Sequence, residues 1–265
     1  MQRIRIDGTT LEVSRWSFGT ASLHHLPWRA QRVSLLAEAF ESGFTHFDTS
    51  PYYGYGLAEA SLGLALWQHR ASVTIATKVG LYPRFATAAS LPRSWCVKAA
   101  GKFWPALSRP LVDWTVRRAQ RSLDDSLARL GTDYVDILFL HEPVDALVHA
   151  EEFLAWLEHE RRDGRVRYWG VAGEADRVLP WIASRSPLAE VAQVRDSLTA
   201  RHADPVVEHG RRLQFTYGYL SAAKPAGNVA NRDFLVRILE RNSTGSVLVS
   251  TRRKNHVREL AEAGS

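Results

Sequence analysis

Apolar runs rich in β-branched residues recur along this chain, and a stretch with helical spacing follows each one. The runs are "VSRWSFGT", "FTHFD", "SVTIATK", "YVDILFLH", "VRYWGVA", "AEVAQV", "RRLQFTY" and "GSVLVST". The helical stretches cover 30–42, 57–69, 113–131, 150–162, 175–185, 201–210, 230–242 and 254–263. Several helices end in glycine chemistry suited to a left-handed cap, as at "ESG", "LARLGTDY" and "RRDGRVRYWG". Each pair is a βα unit. Eight right-handed crossovers bring the last strand beside the first, so the expected fold is α/β, a (β/α)8 TIM barrel. An open doubly wound sheet is the competing arrangement. It is disfavoured because the first βα turn, "FGTASLHHLPW", carries no glycine-rich dinucleotide fingerprint, and none occurs later.

The 265 residues suit one barrel domain over 1–265, interrupted by a long irregular interval at about 81–112 between the third strand and its helix. That interval carries Trp95, Phe103 and Trp104. A loop of this length in a compact domain is usually functional, so these aromatics are candidates for substrate contact as well as for tying the loop down. The single cysteine, Cys96, excludes an intramolecular disulfide and favours a reducing compartment, so a cytoplasmic location is expected. No run approaches the roughly 20 apolar residues that span a bilayer, so a soluble protein with no membrane partner is expected. The net charge of +6 comes from scattered arginines, which fits a solvated basic surface better than a nucleic-acid groove.

In a barrel of this kind the chemistry collects where the strands stop. The second run stops at Asp48, the third at Lys78, the fourth at His141 and the sixth near Gln193, with Tyr52, Tyr53 and Tyr55 just beyond Asp48. Singly, each has an ordinary role: a turn aspartate, a lysine snorkelling from the rim, a satisfied core histidine, a rim aromatic. Together they place an acid, an amine, an imidazole and phenols at one mouth. A free phenol titrates near ~10, too high for ready proton exchange at neutral pH. A neighbouring ammonium is expected to lower that value, with a carboxylate holding the lysine charged and oriented. An imidazole beside the phenol positions a substrate oxygen or shares its proton, which suits general acid catalysis on a carbonyl. Metal ligation is a poor alternative, since no second His or Cys stands at ligand spacing.

The run "FDTSPYYGYGLAEASLG" resembles the signature of the aldo-keto reductases, and "ATKVG", "DILFLHEP", "VAQV" and "TYGYL" follow in that family's order. The resemblance spans about residues 13 to 262. It implies a barrel that binds NADPH/NADP+ without a Rossmann fold and transfers hydride between nicotinamide and a small carbonyl or sugar. By position, Tyr53 would donate the proton, Asp48 and Lys78 would tune it, and His141 would orient the substrate. Gln193 would hold the nicotinamide carboxamide and Tyr217 would stack on its ring. Ser250, Thr251, Arg252, Arg253 and Glu259, with Lys254 beside them, fall in the segment that would hold the adenosine phosphate, where a helix N-terminus favours an anion. A monomer is the usual state among such proteins.

Three departures from the pattern bear on this reading. Ala172 and Gly173 stand where the family usually has Ser-Asn gripping the carboxamide, which removes two hydrogen bonds of roughly 0.5–1.5 kcal/mol each. Leu260 stands where an asparagine would meet the adenine. The chain ends just after that helix, which is expected to shift substrate recognition onto the loops after strands one and three, with His24 and Trp28 as further candidates. A non-catalytic NADPH-binding regulatory or redox-sensing barrel is the alternative that these departures keep open. A barrel isomerase or lyase would leave the paired arginines without a role.

Overall fold

The computed structural model describes residues 1–83, 109–222 and 232–265. Eight parallel strands close into a barrel: β3 (Trp16–Gly19), β4 (His46–Asp48), β5 (Thr74–Val79), β8 (Val135–His141), β9 (Val166–Gly173), β10 (Val191–Arg195), β11 (Phe215–Tyr217) and β12 (Ser246–Val249). They run in sequence order, and closure comes from β12 pairing with β3 through Val247 opposite Trp16. The expected barrel is present.

The helices are α1 (Arg29–Glu41), α2 (Leu57–Leu66), α3 (Val116–Leu130), α4 (Ala150–Arg162), α5 (Ala175–Ala183), α6 (Asp204–Glu208), α7 (Tyr219–Ala222), α8 (Arg232–Arg241) and α9 (Lys254–Ala263). Several are shorter than their spacing predicts, α2 and α6 among them. The expected 201–210 helix contracts to α6, because Arg201 takes a positive φ of 48° before it and Gly210 a φ of 76° after it; Pro205 stands in the first turn, where a helix tolerates proline. The 57–69 helix tightens to a 3-10 segment from Trp67.

The run "VSRWSFGT" divides. Its first part joins β2 (Glu12–Ser14), which pairs antiparallel with β1 (Arg3–Arg5), and only Trp16–Gly19 enters the barrel. Ile6, Leu11 and Val13 of this hairpin are buried with Ile137, Phe139, Val191 and Phe215, so the hairpin plugs the N-terminal end. The interval at 81–112 is likewise not wholly irregular: β6 (Leu81–Tyr82) pairs antiparallel with β7 (Leu111–Val112) at its two ends. Trp95, Phe103 and Trp104 lie outside the described residues.

A second, larger core fills the space between barrel and helices, with Phe18, Leu36, Phe47, Leu62, Leu138 and Leu157 among its buried members. Strand side chains alternate between the two cores, as a period of two requires. Along β8, Ile137 and Phe139 belong to the inner core, while Leu138 and Leu140 belong to the outer one. The residue that tops an inward column therefore faces the C-terminal mouth. No helix among the described residues is long and apolar enough to cross a membrane.

Candidate active site

The inward columns of β4, β5, β8, β10 and β11 are topped by Asp48, Lys78, His141, Gln193 and Tyr217. The first four are those in which the sequence places chemistry at strand ends. Register sets them side by side: Asp48 pairs with Ala76, two residues before Lys78, and His141 pairs with Ala172, which in turn pairs with Gln193. Tyr53 is brought in by the turn after β4. Its amide donates to Ser50 O at 3.0 Å, and Gly54, Tyr55 and Gly56 follow at φ of 63°, 58° and 84°. That left-handed run reverses the chain into α2. At Gly54 a side chain would also meet the His24 Cβ at 2.8 Å, so glycine is required there for two reasons.

A cavity of about 350 Å3 opens at this mouth, with Asp48, Tyr53, His141, Gln193, Tyr217 and Ser250 in its wall. Lys78 is buried beneath it. The lysine Nζ lies 2.6 Å from each Asp48 carboxylate oxygen and 2.9 Å from Thr49 O, so its three N–H donors have three acceptors. Asp48 also accepts from Gln193 Nε2 at 2.8 Å. Lys78 Nζ stands 5.0 Å from the Tyr53 ring centroid, and the His141 ring meets the Tyr53 ring edge-on at 6.0 Å.

These contacts correct one expectation. The Tyr53 phenol pKa is pushed well above its ordinary value, by burial first and then by Asp48, Tyr217 and Glu142. Burial and the Asp48 carboxylate outweigh the ammonium, whose three protons are already given to Asp48 and Thr49. Burial lowers the Lys78 pKa, and Asp48 opposes that shift. Burial and the Lys78 charge hold the His141 pKa well below the ordinary histidine range. Tyr53 and His141 are therefore both neutral near pH 7. His141 Nδ1 is buried with no hydrogen-bond partner.

Gln193 gives one amide N–H to Asp48, which leaves its second N–H and its amide oxygen to meet a ligand. The phosphate-side residues stand as the sequence orders them. Ser250 Oγ is 2.6 Å from Ser22 Oγ, Thr251 Oγ1 accepts from Arg253 N at 3.2 Å, and Arg252, Arg253 and Lys254 are exposed at the start of α9. Lys254 Nζ pairs with Glu38 at 3.5 Å, whereas Arg252 and Arg253 make no ion pair among the described residues. Glu259 is half-buried. Leu260 is buried in the outer core, which accounts for an apolar residue at that position.

Two substrate candidates fall outside the cavity wall. Trp28 precedes α1 and is 68% exposed, and His24 packs against the Gly54 turn with its Nδ1 2.8 Å from Ala21 O. Strand-end reasoning overlooks Glu142, which does line the cavity. Its signal is the charged residue in "HEP", directly after His141.

The cavity suits a nicotinamide. It offers an aromatic face in Tyr217, apolar walls in Ala21, Leu248 and Val249, and amide and hydroxyl groups in Gln193 and Ser250.

Several known proteins are similar to this chain. L-galactose dehydrogenase of Arabidopsis thaliana is 30% identical over 192 residues, which cover 69% of this chain and 51% of that protein. D-threo-aldose 1-dehydrogenase of a Pseudomonas species is 28% identical over 225 residues, covering 72% and 62%. The chain spans about half the length of most curated relatives it matches. Among solved structures, an aldo-keto reductase from Bacillus halodurans in its holo form superposes with a TM-score of 0.76 at 20% identity, covering 99% of this chain and 90% of that one. An aldo-keto reductase from Klebsiella pneumoniae in complex with NADPH gives 0.70 at 20% identity, covering 99% and 89%. The sequence model of the aldo/keto reductase family matches residues 16–210, most of the barrel, and the chain belongs to that family.

Proposed function

We propose that the protein is an NADP-dependent oxidoreductase that moves a hydride between nicotinamide and a carbonyl or alcohol, with Tyr53 as proton donor. The observation that carries this reading is the meeting of Tyr53, the Lys78–Asp48 pair and His141 at one cavity. The bound cofactor supplies the hydride; this chain supplies geometry and the proton.

Tyr53 fits the donor role because burial keeps its proton in place until a more basic oxygen forms beside it. As negative charge develops on a carbonyl oxygen, the phenol O–H transfers its proton there, and the Lys78 ammonium beneath the ring stabilises the phenolate left behind. Asp48 fixes the ammonium in place, and Gln193 fixes Asp48. His141, neutral, is suited to donate a hydrogen bond that orients the same oxygen. Arg252 and Arg253 at the start of α9 are the residues suited to a 2′-phosphate, which favours NADP over NAD. The curated relatives named for galactose and aldose oxidation support a sugar or a small aldehyde as substrate.

The test follows absorbance of reduced nicotinamide with NADPH and a panel of aldehydes, and with NADP+ and a panel of aldoses. Turnover lost in Tyr53→Phe supports the reading. Cofactor binding without turnover on either panel overturns it in favour of a regulatory barrel, the reading that Ala172 and Gly173 support.

A further inference from the structure

Resting on that cofactor reading, we propose that Glu142 replaces the carboxamide anchor absent at residues 172 and 173, and that its charge makes the site favour the oxidised nicotinamide over the reduced one. Glu142 extends from the end of β8 across to the end of β9. A Cβ built on Gly173 would lie 2.5 Å from Glu142 Oε2 and 3.0 Å from Oε1, so the carboxylate fills the space where a side chain at 173 would begin. The carboxylate can lie here because residue 173 carries no side chain, and a Cβ there would have to push it aside.

The backbone is arranged for this. Glu142 has a φ of 54°, uncommon for a non-glycine residue, and its amide donates to Ala172 O at 2.7 Å. Both carboxylate oxygens accept from Glu174 N, at 3.3 and 3.1 Å. The nearby Glu174 carboxylate is paired with Arg195 Nη1 at 2.8 Å, while Glu142 makes no ion pair among the described residues. A half-buried, unpaired carboxylate thus lines the cavity that holds Tyr53 and Tyr217, with acceptor capacity unused. Burial first, then Glu174 and Asp176, raise its pKa against the Glu174 N–H bond and the Arg177 charge, which lower it.

A carboxylate here accepts from the carboxamide NH2, which the missing asparagine would otherwise engage. It also acts on the ring. Oxidised nicotinamide is a cation and reduced nicotinamide is neutral, so a nearby negative charge stabilises the first selectively. By the binding cycle, holding NADP+ more tightly than NADPH makes bound NADPH the stronger hydride donor, so hydride transfer within the complex would lean towards carbonyl reduction. The opposing view is that Glu142 merely caps α5 through the Glu174 N–H.

The discriminating experiment measures NADP+ and NADPH dissociation constants by tryptophan quenching for the wild type, Glu142→Gln and Gly173→Ala, with thermal midpoints alongside. Glutamine keeps an acceptor for Glu174 N–H but removes the charge. The expected result is a shift of about tenfold in the NADP+ to NADPH affinity ratio towards NADPH, the scale of one partly screened unit charge. Gly173→Ala, whose methyl displaces the carboxylate, should give a smaller shift in the same direction, and it decides the matter if Glu142→Gln does not fold. An unchanged ratio in the folded variants, with wild-type binding intact, overturns the role of Glu142 and leaves the cofactor reading standing. A wild type that binds neither form overturns both.

Discussion

Two buried aspartates in this barrel have nearly the same local chemistry and opposite surroundings. Asp136, near the start of β8, accepts from Arg70 Nη2 at 2.8 Å, Arg167 Nη1 at 2.7 Å and Ile75 N at 2.9 Å. Asp48, at the end of β4, accepts from Lys78 and from Gln193. Both carboxylates are fully matched. The Asp136 partners are arginines that reach water, with side chains 13% and 45% exposed, whereas Lys78 is sealed under the cavity at 1%. An arginine stays charged in any setting, while a sealed lysine is held charged only by its aspartate. The same motif is a clamp at one end of the barrel and an adjustable charge at the other. Position along the strand decides which.

The sharpest way to break this contrast is Tyr53→Phe. On the proposed mechanism it removes the proton donor and little else, so turnover should fall by roughly 10^2–10^4 while the thermal midpoint stays within a few degrees of wild type. Turnover within a few-fold of wild type would make the mouth pair as structural as the Asp136 clamp. Lys78→Met comes next. It leaves Asp48 buried with only Gln193 as partner, so unfolding by urea should show a loss of roughly 3–5 kcal/mol together with lost turnover. A loss below about 1 kcal/mol would mean that water reaches Asp48 and the pair is not sealed.

The interior beneath the mouth gives a pH test of the same difference. His46 lies two residues before Asp48, stacked on Phe215 at 4.6 Å, with Nδ1 2.7 Å from Thr74 Oγ1 and Nε2 unpartnered. Burial, helped by the Lys78 charge, lowers its pKa to about 3, and His141 is shifted the same way. The unfolded chain takes up these protons near pH 6.5 and the folded chain does not. Stability is therefore full above about 6.5 and falls as pH drops towards 3, by about 1.4 kcal/mol per pH unit for each histidine. His46→Met should roughly halve that slope between pH 6 and 4.5 in urea titrations; an unchanged slope would show that His46 is hydrated.

The barrel was legible because eight runs of period-two and apolar residues each precede a helix, and the site was legible because strand ends in a barrel converge. The hairpin plug was not, since Arg3–Arg5 is too short and too polar to read as a strand and is paid for by burial of Ile6, Leu11 and Val13 against the barrel interior. The direction of the Tyr53 shift was also hidden. Sequence shows that a lysine is near; it does not show that all three of its protons are already given to Asp48 and Thr49. Glu142 was missed because its place in the cavity wall depends on the space over Gly173, a relation between the ends of two strands that no spacing records.

The smallest expected effect lies at the other aspartate. Arg167→Met removes one of the three donors to Asp136, but Arg70 Nη2 and Ile75 N remain on the other carboxylate oxygen. Arg70 is itself braced by Thr132 Oγ1, Val73 O and Tyr134 O, and it stacks over the Tyr134 ring at 3.8 Å, so it does not follow its partner away. The Asp136 Oδ1 that loses Arg167 lies close to a side chain already 45% exposed, and water can replace the lost N–H. The loss should be about 0.2–1 kcal/mol, weaker still in high salt, with turnover unchanged. A loss approaching that of Lys78→Met, insensitive to salt, would mean that the lower clamp is as dry as the pair under the cavity, and exposure would no longer distinguish the two aspartates.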